Sequence, residues 1–191
     1  QAEAATVRSM MANKEIEITD SWQTEAAITA LDAMEGVSVN TYMTGHLMYM
    51  MLNNQSAPTD DVHFRKALAY CLDYDTAASI FPGSKAPNGP VSSVLAGWDS
   101  SLPTLKQDMD KAKAELAQSG YADSLDSHPL TLYWVSDVPD EEKLALLLQS
   151  NAAELGIQIE VKSVPWTGFV DLVTSPETTP NITIVHVDPY Y

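Results

Sequence analysis

Between residues 130 and 161 the chain runs strand, helix, glycine, strand, and this order constrains the fold more than any other stretch does. Leu130–Val135 (LTLYWV) is an apolar run rich in strand-forming residues. Asp140–Leu155 carries Leu144, Leu147, Leu148, Ala152 and Leu155 at helical spacing, and Gly156 follows as a C-terminal stop. Ile157–Val161 alternates Ile157, Ile159 and Val161. Successive strands joined by a helix pair in parallel through a right-handed crossover. Ile182–Val187 is apolar on both faces, as an interior strand must be, and Leu47–Leu52 (LMYMML) is another buried-strand run. These four segments predict one mixed sheet flanked by helices.

The best-marked helix lies in Asn53–Asp75 (NNQSAPTDDVHFRKALAYCLDYD). Pro58 disfavours helix just before it, and Thr59, Asp60 and Asp61 offer oxygens to the unpaired first-turn amides. Phe64, Leu68, Cys71 and Leu72 then form one apolar stripe, with Arg65 and Lys66 off it. Further helices are expected at Ala2–Ala12, Thr24–Met34 (stopped by Gly36), Asp75–Ile80 (ended by Pro82-Gly83) and Trp166–Val173. Another, Asp108–Ser119, carries Leu105, Met109, Ala112 and Leu116 on its stripe and Gly120 as cap. Glu15–Thr19 (EIEIT) alternates like a strand. Phe81–Pro103 is a loop too long to be mere connection.

Composition excludes some function classes. The net charge is −16, from 26 acidic and 10 basic residues, so no basic patch exists to neutralise nucleic-acid phosphates or anionic lipid. The single cysteine, Cys71, sits on an apolar stripe and reads as a small buried hydrophobe. The longest apolar run, Leu47–Leu52, is far shorter than the roughly 20 residues of a spanning helix. The chain reads as a piece of a longer protein, so it carries no information on signals or anchors.

Motifs for chemistry are sparse. There is no Gly-x-Ser-x-Gly elbow, no Cys-x-x-Cys and no phosphate-cradling glycine loop. The histidines, His46, His63, His128 and His186, show no i, i+4 pair, which gives no metal motif. His46 and His186 both fall on or beside strands and could still meet. Asn181-Ile182-Thr183 spells a glycosylation sequon but opens an interior strand, where the spelling is chance. Of the tryptophans, Trp22, Trp98, Trp134 and Trp166, Trp134 reads as core because it alternates with Leu130 and Leu132. Trp98, in the long loop, is the better contact candidate.

Several blocks, in order, resemble the peptide/nickel class (family 5) of extracytoplasmic solute-binding proteins that serve ABC importers. One is the helix block of Asn53, Pro58, Asp60, Asp61, Val62, Arg65, Ala67, Leu68, Tyr70, Asp73 and Asp75. A second is Asp108, Lys111, Ala112, Lys113, Leu116, Ala117, Ser119, Gly120 and Tyr121. Others are Asn13-Lys14-Glu15-Ile16, with Asn13 where glycine is usual, and the Gly156-to-Trp166 block. The resemblance implies one lobe of a bilobate, type II periplasmic-binding-protein-like fold. Residues 1–40 would be a fragment of the first lobe, and 41–191 the ligand-closing second lobe, truncated at its C-terminal end. It implies no enzyme and no cofactor, a peptide or related small solute as ligand, membrane permease subunits as partners, a monomer, and an extracytoplasmic location, periplasmic or lipid-anchored.

The closing segment VHVDPYY is similar to the family's "W-x-x-D-Y-x-D-P", in which an aspartate pairs with a peptide's amino terminus; Asp188 is the matching position, with Val185 where the family has tryptophan. Where the family places a second-lobe histidine, this chain has Glu141 or Glu142. The expected ligand contacts are Asp188, His46, Trp98, Tyr42 and Tyr190, with no metal ligand. The alternative from another class is a small α/β hydrolase or transferase with an unrecognised active site.

Overall fold

A computed structural model describes residues 4–21, 23–42, 44–81 and 83–189. Trp22, Pro82 and Tyr190, which carried expectations above, lie outside these. The chain divides into two compact units, Gln1–Thr44 and Gly45–Tyr191.

The first unit holds α1 (Ala4–Ala12) and α2 (Glu25–Asp32), which bury Val7 and Leu31 respectively. Thr24 caps α2, accepting from the Ala27 amide. The expected strand Glu15–Thr19 does not form, and Ile18 is 85% exposed. Alternation alone cannot hold a strand, because a strand's amides and carbonyls need a neighbouring strand. The left-handed residue after α1 is Lys14 (φ 59°), next to Asn13, which stands where the family has glycine.

The second unit is built on four strands: β1 (Leu47–Leu52), β2 (Leu130–Val135), β3 (Ile159–Val164) and β4 (Ile182–Val187). Their order is β1-β4-β2-β3. β2 runs parallel to both β3 and β4, while β1 is antiparallel to β4. The sheet is therefore mixed, and β4 is interior, as its two-sided hydrophobicity predicts. β3 begins at Ile159, two residues later than expected; Ile157 is buried ahead of it.

One face of the sheet carries the main core. Leu130, Leu132, Ile159, Ile182 and Ile184 pack there against α3 (Val62–Cys71), α5 (Met109–Leu116) and α6 (Asp140–Ala153). The predicted stripe of α3 is buried throughout, from Phe64 to Leu72. The other face is thinner: Val135 and Val185 pack with Phe169 of α7 (Trp166–Leu172). A short helix, α4 (Tyr74–Ser79), follows α3.

The cap of α3 is Asp61, whose Oδ1 accepts from the Phe64 amide at 2.9 Å while Oδ2 accepts from the Gly120 amide at 3.2 Å. One carboxylate thus closes α3 and ties down the chain leaving α5. Thr59, expected to share in capping, is buried and donates instead to the Asn53 and Ser56 carbonyls. Gly120 is not left-handed, and α5 starts at Met109 with Asp108 as cap, so Leu105 lies outside it and is exposed. Asn181 is buried and accepts from the Thr131 amide, which disposes of the sequon.

Candidate functional site

The register of β1 on β4 assembles the site. Leu47 pairs with Val187 and Met48 with His186, so one further step sets His46 opposite Asp188. Positions 46, 48, 186 and 188 then share one sheet face, because side chains alternate along a strand. His46 Nε2 stands 2.8 Å from Asp188 Oδ1, and His186 Nδ1 stands 4.0 Å from the same oxygen. The two imidazoles meet edge to face, with centroids 4.3 Å apart. Asp188 Oδ1 is shielded from solvent and accepts no hydrogen bond of good geometry, so the 2.8 Å approach is an electrostatic contact rather than an aligned bond.

Burial, with His46 adding a like charge nearby, lowers the His186 pKa to about 4 against the opposing pull of Asp188. His186 is thus a neutral imidazole near neutral pH. One donor atom from each of His46, His186 and Asp188 lies within 4.8 Å of the others, so this trio could hold a metal ion.

The approach to His46 is fixed by the long loop. Gly45 is left-handed at φ 74°, and a Cβ there would collide with Val94 and crowd Ser92. Ser92 Oγ donates to the Gly45 carbonyl at 2.5 Å, and Tyr49 Oη donates to the Pro90 carbonyl at 2.6 Å. The loop therefore docks on the first residues of β1. It carries Trp98, which is 39% exposed.

Because β2, β3 and β4 run parallel, their C-terminal ends share one edge of the sheet with the start of β1, where open α/β sheets place ligands. That edge also carries Glu141, Asp137 and Trp166. Glu141 is fully buried; Oε2 accepts from the Val135 amide at 2.8 Å and Oε1 has no partner. Burial raises its pKa to about 7, against the opposing Val135 amide. Asp137 Oδ2 accepts from the Trp166 amide at 2.7 Å, and Trp166, half exposed, stacks on Phe169.

Of the residues expected to contact ligand, the structure brings His46 and Asp188 together. Trp98 is on the loop that packs on Gly45. Tyr42 belongs to the first unit and is 75% exposed, and Tyr190 lies outside the described residues. Sequence reasoning left the meeting of His46 with His186 open and missed His186 as a partner of Asp188. The signal was available as the i, i+2 spacing of 186 and 188 on one strand. Cys71 is buried, and burial pushes its thiol up to about 12, so it is no nucleophile. Among the described residues no helix is long and apolar enough to cross a membrane.

Comparison with known proteins places these features in context. The profile of bacterial extracellular solute-binding proteins, family 5 Middle, matches residues 1–184. The Probable D,D-dipeptide-binding periplasmic protein DdpA of Escherichia coli (strain K12) is 29% identical over 166 residues, covering 85% of this chain and 31% of that protein. The ABC transporter substrate-binding protein CtaP of Listeria monocytogenes superposes with a TM-score of 0.80 at 22% identity, over 98% of this chain and 38% of that one. The oligopeptide-binding protein AppA of Bacillus subtilis, solved with a nonapeptide, gives a TM-score of 0.81 at 17% identity, over 97% and 39% respectively. At these identities the structural likeness establishes the fold, which is the mixed α/β type expected. The chain spans less than a third of the length of the curated relatives it matches.

Proposed function

Since the chain belongs to the bacterial extracellular solute-binding proteins of family 5, we propose that it forms part of the substrate-binding component of an ABC importer. It captures a peptide or related small solute and delivers it to a membrane permease. The unit Gly45–Tyr191 is assigned to the ligand-closing lobe, and Gln1–Thr44 to a piece of the other. In such a protein the solute is enclosed between lobes, and closure is the signal the permease reads. No covalent step is involved. The protein acts as a monomer outside the cytoplasm, in the periplasm or held at the cell surface by a lipid anchor.

The observation that carries this reading is the Asp188 carboxylate beside His46 at the C-terminal edge of the sheet. A peptide's free ammonium would pair with that carboxylate. Trp98, on the loop of the same unit, would pack beside the solute. The DdpA and AppA relatives support a peptide-like solute by their names alone.

Calorimetry of the intact protein with mixtures of di- and tripeptides in chelator-treated buffer, wild type against Asp188→Asn, is the test. Leaving the ammonium buried and unpaired should weaken binding by about 2–5 kcal/mol. Equal affinities would refute the peptide version.

A further inference from the structure

We infer that His46 is a positioning residue: it holds the inner oxygen of the Asp188 carboxylate so that the outer oxygen faces the incoming solute. The role rests on the solute-capture reading, and it moves His46 from ligand contact to support of the contact. Asp188 lies one residue beyond β4, past the last paired position, Leu47 with Val187. The ladder therefore fixes the face it points to but not which way its carboxylate turns. The two oxygens have different surroundings. Oδ1 is inaccessible to water, yet the side chain as a whole is 46% exposed, so the oxygen that meets solvent is Oδ2. His46 Nε2 approaches Oδ1 to 2.8 Å, while His186 Nδ1 stands 4.0 Å from it. A carboxylate turned this way sets one oxygen against an imidazole and presents the other to a ligand's ammonium.

His46 is itself held in place. Gly45 before it is left-handed, its carbonyl accepts from Ser92 Oγ, and Val94 fills the space a Cβ would need. From β4, the His186 ring meets the His46 ring edge to face, at 78° with centroids 4.3 Å apart. Burial keeps His186 neutral near neutral pH, so it walls the His46 ring instead of competing as a cation for the carboxylate. A carboxylate already turned toward its ligand has less freedom to lose on binding, and a supporting side chain supplies that order in advance. Freezing one mobile side chain at the moment of binding weakens affinity by about 2- to 12-fold, which is the size of effect assigned to His46.

The test is calorimetry of the intact protein with a mixture of di- and tripeptides. Wild type is compared with His46→Ala, His46→Phe, His46→Gln, Asp188→Asn and the double variant His46→Ala with Asp188→Asn. His46→Ala should bind about 2- to 12-fold more weakly. His46→Phe keeps a ring against His186 but has no nitrogen; it should show the same loss, and it stands in if His46→Ala does not fold. His46→Gln, whose amide nitrogen can replace Nε2, should stay close to wild type. In the Asp188→Asn background His46→Ala should change nothing further, because its effect runs through the carboxylate. Without solute, nitrogen-correlated NMR should show the His46 ring signals moved by Asp188→Asn, and those of His63, which pairs with Glu115, unmoved. Unchanged or tighter binding by His46→Ala and His46→Phe, or an undiminished loss in the Asp188→Asn background, overturns the positioning role and leaves the pairing of Asp188 with solute standing. Equal affinity of wild type and Asp188→Asn refutes the peptide reading itself, and the role of His46 with it.

Discussion

Glu141 holds a position where charge is hard to keep, because its carboxyl is fully buried with one oxygen unpartnered. Its pKa, raised from 4.5 to about 7, means the folded state keeps a proton that the unfolded state has lost. Stability from this group is present below pH 4.5 and is lost as pH rises through 7. His186, lowered from 6.5 to about 4, acts oppositely: the unfolded state binds the extra proton, so its contribution grows as pH rises over that window. The two slopes offset in the wild type, and the difference between wild type and Glu141→Gln isolates Glu141. The amide oxygen can still accept from Val135. Glu141→Gln should match wild type near pH 4 and exceed it by up to about 3 kcal/mol near pH 8, by urea denaturation. A constant difference across that range would mean Glu141 stays charged. From the sequence, Glu141 could be read only as standing where the family has a histidine. Its burial depends on how α6 leaves β2, which no local spacing encodes.

At the level of elements, α3 was the most legible piece, because cap and stripe are both local signals. Leu68→Ala should cost about 2–5 kcal/mol, since the side chain is almost wholly buried. Lys66→Ala should change stability by no more than about 0.5 kcal/mol: its ammonium is exposed and stands 3.6 Å from Glu115, a long contact. Equal denaturant midpoints for the two variants would contradict the assigned stripe. Asp61→Ala loses a cap and the tie to Gly120, and should cost at least about 1 kcal/mol. The four strands were legible for the same reason, since each has enough apolar residues to require burial. Glu15–Thr19 failed because its pattern says nothing of whether a partner strand lies beside it. The Asn53–Gln55 turn and Thr59 show a related gap, as their hydrogen bonds serve the loop rather than the helix.

Across the whole molecule, function rests on residues far apart in sequence. His46 and Asp188 are brought together by the β1–β4 register, and the long loop is tied beside them by Ser92 and Val94 at Gly45 and by Pro90 at Tyr49. Family blocks pointed to Asp188, while periodicity alone left it as the residue after a strand. Gly45→Ala strains a left-handed backbone and pushes on Val94. It should therefore lower peptide affinity while leaving α3 and the main core intact, which calorimetry and amide exchange can separate. The most direct measurement of the central claim is imidazole nitrogen-correlated NMR of the intact protein during titration with a mixture of di- and tripeptides. The account predicts saturable shifts of His46 and His186, with His63 and His128 unmoved. Shifts confined to His63 or His128, or none at any histidine despite saturable peptide binding, would contradict it.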